Sequence, residues 1–257
     1  MADWNFSADE MMTIAAARML RDGDVCFVGI GLPSIAANLA RLTHAPNIVL
    51  VYESGTIGAK PAVPPLSIGD SELATTADTV VSTTEVFRYW LQGGRIDVGF
   101  LGAAQLDRFG NINTTVIGRY EEPEVRLPGA GGAPDIAAHA REVFIMLRQT
   151  PRSFVERLDF VTSAGLLTGR DARVEAGMLG LGPTKVVTDL AVLEPDDEGR
   201  ELIVTRIHPY ADAQRTLEAT GWPLRFAADV HVTKPPQPEE LAVLRDLLRR
   251  GTEAHGE

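Results

Sequence analysis

Cysteine is nearly absent. Cys26 is the one thiol in 257 residues, so no intramolecular disulfide can form, and its place in the run Val25-Cys26-Phe27-Val28 reads as a small buried hydrophobe. This fits a reducing compartment and a cytoplasmic protein. No uninterrupted apolar run approaches the ~20 residues of a membrane span. The opening Met1-Ala2-Asp3-Trp4-Asn5 lacks the basic-then-apolar order of a secretory leader. Positive charge is scarce too: 24 Lys and Arg stand against 35 Asp and Glu, a net charge of −11. With no basic cluster interleaved with aromatics, nucleic acid is excluded as a partner, and any anionic ligand must be met by local donors. His44, His139, His208, His231 and His255 show no metal-ligand spacing, so no metal is expected. A Gly-x-Ser-x-Gly elbow and a phosphate-binding Gly-Lys-Ser/Thr loop are also missing. His208, between an apolar run and Pro209, is the histidine to follow.

What is present is an α/β pattern. With 45% hydrophobic and 23% charged residues, the chain can bury a sizeable core, and the lack of a strong boundary suggests one domain over 1–257. Ser7-Ala8-Asp9-Glu10 forms a capping box ahead of a helical run that should last until Gly23. A strand over Asp24 to Val28, a tight loop from Gly29 to Pro33, a helix from Ser34 to Leu42 and a strand from Ile48 to Tyr52 make a βαβ unit. Its two strand-end loops should share the edge where ligands of open α/β sheets bind. Short apolar runs at Thr79–Val81, Val98–Leu101, Val143–Leu147 and Phe160–Val161 continue the pattern, with a helical Glu85–Leu91 ending at Gly93-Gly94. Lys185–Leu193 and Glu201–Ile207 read as a hairpin, Ala211–Ala219 as a short helix, and Glu239–Arg250 as an amphipathic terminal helix after a proline-rich linker. The glycine-rich stretch Leu166 to Gly182 reads as mobile. The expected architecture is an open, largely parallel sheet flanked by helices, with a hairpin and a terminal helix near the carboxyl end.

Four constellations bear on chemistry. Gly29-Ile30-Gly31-Leu32-Pro33-Ser34, with Glu53 about 20 positions on, invites a dinucleotide reading, but Ser34 stands where the third glycine of that fingerprint belongs. Tyr52-Glu53-Ser54-Gly55 places a carboxylate at a strand end with small residues behind it, either a reactive group or a solvated turn acid. In Leu127-Pro128-Gly129-Ala130-Gly131-Gly132-Ala133-Pro134-Asp135, glycine backbone could converge N–H groups on a developing oxyanion, or form a plain loop. Asp107 to Thr115 gathers amides and hydroxyls that orient a carboxylate or make ordinary turns.

Together these segments resemble the β subunit of class I CoA-transferases, in the branch acting on 3-oxoadipate or glutaconate. The resemblance spans almost the whole chain and is anchored by Val25–Pro33, Tyr52–Gly55, Phe87–Arg95, Asp107–Thr115 and Leu127–Pro134. It implies that Glu53 is the covalent nucleophile, that Gly131 and Gly132 form an oxyanion element, and that Asn113 lines the substrate site. Gly29, Gly31, Pro33, Ser54 and Gly55 become the loops around it. It further implies ping-pong transfer of CoA from succinyl-CoA to a 3-oxo dicarboxylic acid through a glutamyl-CoA thioester, as in aromatic-compound degradation. An α-subunit partner is expected, with no cofactor beyond the CoA thioester as substrate. Arg88, Arg95 and Arg126 are the candidates to hold a second carboxylate. Two departures from the pattern stand out: the stretch Leu166–Leu181, and Tyr210 where relatives usually carry glycine. The alternatives are a glutaconate-type transferase, a CoA-thioester hydrolase subunit and, further off, a dinucleotide-dependent oxidoreductase.

Overall fold

The computed structural model describes residues 4–256, so Met1 to Asp3, part of the amino-terminal reading, lie outside the described residues. The chain forms two compact units: one runs to Phe100 and resumes at Pro235, and the other is Leu101–Lys234.

In the first unit, α1 (Ala8–Ala17) starts at the expected capping box, Ser7 N donating to Glu10 Oε2 at 2.7 Å and Glu10 N to Ser7 Oγ at 3.1 Å. It ends earlier than Gly23, because the N–H groups of Met19 and Leu20 donate to carbonyls three residues back and tighten the chain into a turn. β1 (Val25–Phe27), α2 (Leu32–Leu42) and β2 (Val49–Val51) form the βαβ unit, with Phe27 paired to Val51 in parallel register. β3 (Thr56–Ile57) turns back antiparallel to β2. After α3 (Ser71–Thr76), β4 (Thr79–Val80) runs antiparallel to β3 and so along the direction of β2. α4 (Thr83–Glu85) passes into a π-helical segment, Val86–Leu91, whose wider turns show as Gln92 N to Phe87 O and Arg95 N to Trp90 O, both 2.8 Å. β5 (Val98–Leu101) then pairs in parallel with β1. Fully buried Leu50, Tyr52, Phe27 and Leu39 form the core.

The second unit opens with two small antiparallel pairs, β6 (Gln105–Leu106) with β7 (Ile112–Asn113), and β8 (Val116–Gly118) with β9 (Pro123–Arg126). After α5 (Ala133–His139) come β10 (Glu142–Met146), the short α6 (Ala172–Glu175) and β11 (Pro183–Val187). β12 (Ala191–Pro195), β13 (Leu202–Ile207), α7 (Ala213–Glu218) and β14 (Arg225–Val232) complete it. β10–β11 and β13–β14 are parallel, while β11–β12 and β12–β13 are antiparallel. α8 (Pro238–His255) returns to the first unit, with Leu241, Leu244 and Leu247 buried and Leu248 40% exposed at the margin.

The expected open α/β sheet, hairpin and terminal helix are all present. The strand expected over Lys185–Leu193 is two strands, because Thr188 Oγ1 accepts from the N–H of Leu190 and Ala191 and folds the chain back between β11 and β12. Phe160–Val161 is not a strand: Phe160 stacks on Tyr120 at 5.5 Å between ring centroids, and Val161 is exposed. β14 carried no clear signal, since most of its residues are half-buried or exposed and the period-2 alternation of a half-buried strand is weak.

Candidate active site

Glu53 sits on a tight turn at the carboxyl end of β2, half-buried rather than fully solvated. Gly55 N donates to Tyr52 O and Tyr52 N to Thr56 O, both at 3.0 Å, which closes the turn. Gly55 is obligatory. Its φ is +104°, and a Cβ there would lie 1.9 Å from Val81 O, while Val81 N donates to Gly55 O at 2.9 Å. The turn is thus pressed against the chain leaving β4, and Glu53 is held on a rigid base. The hydroxyls of Ser54 and Thr56 are buried without a hydrogen-bond partner among the described residues. Unpaired buried hydroxyls cost stability, and are found where strain or a ligand accounts for them.

Tyr52 explains the departure from the dinucleotide fingerprint. Its phenol, fully buried, lies 3.0 Å from Ser34 Oγ and 3.5 Å from Asn38 Nδ2. Asn38 Nδ2 also donates to Ser34 O at 2.9 Å. Burial raises the Tyr52 phenol above its ordinary pKa, partly offset by the bonds from Ser34 and Asn38. The residue in the third-glycine position therefore ties α2 to the strand that carries Glu53, where a dinucleotide fold would need close backbone approach. Gly31, at φ +85°, caps α2, and Pro33 sits in its first turn, where a missing N–H costs nothing. An added Cβ at Gly29 would meet nothing within 4 Å. Since β1 and β2 are parallel, the Gly29–Pro33 loop and Glu53 share one edge of this unit.

In the second unit, Thr114 Oγ1 donates to Gly129 O and Gly129 N to Thr114 O, both at 2.8 Å, so the Asn113–Thr115 and Leu127–Gly132 segments meet. Gly131 is exposed with φ +49°, and Gly132 caps α5. Among the described residues, no protein group accepts from the Gly131 or Gly132 N–H. Asn113 is different: fully buried, its Nδ2 donates to Gln105 Oε1 at 2.7 Å and Val116 O at 2.6 Å, and its Oδ1 accepts from Thr115 N and Val116 N. All of its amide capacity is spent on holding the loop. Asp107 likewise accepts from Phe109 and Asn111 inside its own turn, and burial raises its carboxyl pKa.

One support, Arg173, was not legible in the sequence; a second, His208, was marked there by its place before Pro209. Arg173, 5% exposed, donates to the carbonyls of Gly180, Gly165, Ala137 and Ala138 at 2.7, 2.8, 2.6 and 3.2 Å, and burial pulls its pKa down to about 10. It pins the stretch expected to be mobile and caps the far end of α5, whose near end is the Gly131-Gly132 loop. His208 is buried between Thr188 O, at 2.9 Å from Nε2, and Thr233 Oγ1, at 3.1 Å from Nδ1. Burial lowers its pKa to about 4, so it is a neutral brace of the strand ends. Tyr210 donates to Asp189 O at 2.8 Å, bracing the same turn.

An acid on a strand-end turn locked by Gly55 shares its edge with a βα loop whose third position makes a hydroxyl contact in place of the third glycine of a dinucleotide fingerprint. The coenzyme A transferase family model matches residues 9–219, and the chain belongs to that family. It is 62% identical to the B-type subunit of the 3-oxoadipate CoA-transferase of Pseudomonas knackmussii, over 98% of this chain and 97% of that one. It is 32% identical to the B-type subunit of the glutaconate CoA-transferase of Acidaminococcus fermentans, covering 98% and 96%. The crystal structure of glutaconate coenzyme A-transferase from that organism superimposes with a TM-score of 0.88 at 30% identity, covering 94% of each chain. The chain is accordingly an enzyme subunit of the CoA-transferase β type.

Proposed function

We propose that this chain, with an α subunit, moves CoA from succinyl-CoA to 3-oxoadipate, with Glu53 as the covalent nucleophile. The observation that carries this is the Glu53 turn, locked by Gly55 against Val81 at the ligand edge; the likeness to the 3-oxoadipate enzyme supports the choice of acid. A carboxylate oxygen of Glu53 attacks the thioester carbonyl of succinyl-CoA; the C–S bond breaks, giving a glutamyl–succinyl anhydride and CoA thiolate. The thiolate attacks the glutamyl carbonyl and expels succinate, leaving Glu53 as a CoA thioester. The carboxylate of 3-oxoadipate then attacks that thioester, and the released thiolate returns to the new anhydride at the 3-oxoadipyl carbonyl, giving 3-oxoadipyl-CoA and free Glu53. The family resemblance assigns the oxyanion formed at each addition to the N–H groups of Gly131 and Gly132. Asn113 is assigned the role of fixing the loop beside them. Every step exchanges one acyl leaving group for another, so the chemistry calls for no cofactor beyond the CoA thioester. We place the enzyme in the cytoplasm, where the single buried Cys26 stays reduced.

The test is mass spectrometry of the co-expressed complex after incubation with succinyl-CoA alone. A CoA thioester on the peptide containing Glu53, reducible by borohydride with loss of activity, is expected. CoA attached elsewhere, or full turnover by this chain without its partner, overturns the reading.

A further inference from the structure

The string Phe87–Arg95 is prominent in the sequence, yet the chemistry above does not use it. Its fold places part of it at the ligand edge. β4 runs in the direction of β2 and ends on the same side as Glu53, and the helix that follows is capped by Ser82 and Glu85. It is fastened to the nucleophile turn through Val81 N and Gly55 O. Phe87 packs against Phe27, ring centroids 5.7 Å apart, and Phe27 is paired with Val51, two residues before Glu53. At this level the helix widens to π geometry, an arrangement that costs stability and is found mostly where function re-aims side chains.

The residue after Phe87 is Arg88, which is exposed and makes no hydrogen bond or ion pair among the described residues. Other cations of this unit are engaged: Lys60 with Asp78, and Arg41 with Asn38 and Pro61 O. Of the other two arginines named from the sequence, Arg126 belongs to the second unit and lies over the Tyr120 ring at 5.0 Å while donating to its carbonyl. Arg95 follows the helix and precedes β5, which is parallel to β1, so it sits at the opposite edge. In a chain of net charge −11, an exposed guanidinium left unpaired on the segment that β4 delivers to the edge holding Glu53 is open to an anion.

We propose that Arg88 is the specificity residue that binds the distal carboxylate of the dicarboxylic acyl group while the other end reacts at Glu53. This rests on the function proposed above and adds the residue that selects the acid. The experiment compares kcat/KM of the complex for 3-oxoadipate and for acetoacetate, a 3-oxo acid without a second carboxylate. Arg88→Met should lower kcat/KM for 3-oxoadipate roughly 10- to 100-fold, chiefly through KM, as expected for losing a charge-assisted bond. The kcat/KM for acetoacetate, which in ping-pong exchange reports only the acceptor half-reaction and not the loading by succinyl-CoA, should stay unchanged. Arg88→Lys should recover part of the loss, since the charge stays but the fork does not, and Arg95→Met should change neither acid. Unchanged discrimination in Arg88→Met, or an equal fall for both acids, overturns the assignment. So does failure of that variant to assemble, which would put Arg88 in a subunit contact. Absence of exchange or of the Glu53 adduct in the wild-type complex would instead be a failure of the proposed function, recognised before any variant is made.

Discussion

The Tyr52–Gly55 turn and the Leu127–Gly132 loop are both rich in small residues, yet they are built on opposite principles. In the first, glycine is enforced by crowding: Val81 O occupies the space a Cβ would need at Gly55. In the second, Gly129 and Gly131 adopt positive φ, but an added Cβ would meet nothing within 4 Å. A locked turn suits a side chain that must be presented in one position. An open loop suits backbone N–H groups that must be reachable. Glycine marks both in the sequence, and only the surroundings distinguish them.

Glu53→Gln is the sharpest test of the first half of this contrast. Size and hydrogen-bonding shape are kept and the proposed anionic nucleophile is lost, so assembly should persist while exchange falls by roughly three orders of magnitude or more. Ser54→Ala should do far less in the same assay. Next comes a pair of alanines measured by urea unfolding. Gly55→Ala must push Val81 away and adopt a left-handed φ, and should cost roughly 3 kcal/mol or more. Gly131→Ala, with open space around it, should cost about 1 kcal/mol. Equal losses at the two positions would dissolve the distinction between locked and open loops.

His208 offers a comparison within the second unit, at the Thr188 turn. Its folded pKa of about 4 lies below the ordinary value of 6.5, so the unfolded chain binds the proton more readily. The stability contributed by this group is complete above about pH 6.5 and is lost as pH falls towards 4, by roughly 2 kcal/mol between pH 6.5 and 5. Urea midpoints across that window should fall in the wild type and stay flatter in His208→Gln. An effect as small as that of Gly131→Ala is expected at Tyr52→Phe. Removing the phenol leaves Ser34 Oγ with a weaker set of partners and should cost about 1 kcal/mol, read from the same unfolding curves.

The capping box at Ser7, the βαβ unit and the shared edge of its loops were legible because each rests on local rules: side-chain caps, apolar periodicity and crossover handedness. The division of Lys185–Leu193 was hidden because the residues that turn the chain, Thr188-Asp189-Leu190, interrupt an apolar run without glycine or proline. Arg173 was hidden for another reason. Its partners are carbonyls at Gly165, Gly180, Ala137 and Ala138, and backbone acceptors leave no trace in residue identity.

The same physics sorts the site. Residue types marked Glu53 and the glycine loops as candidates, because a carboxylate at a strand end and glycine where φ is positive are chemical requirements written in the sequence, while the family resemblance gave Glu53 its role and nominated the arginines. They could not tell Arg88 from Arg95 and Arg126, or show that Asn113 spends its amide on its own loop and that Ser34 serves Tyr52. Arg95 differs from Arg88 by the strand direction that places it at the other edge, and the remaining distinctions depend on which donors already have acceptors. A hydrogen bond between residues distant in sequence is decided by the packing of strands and helices, so only the tertiary structure could assign it.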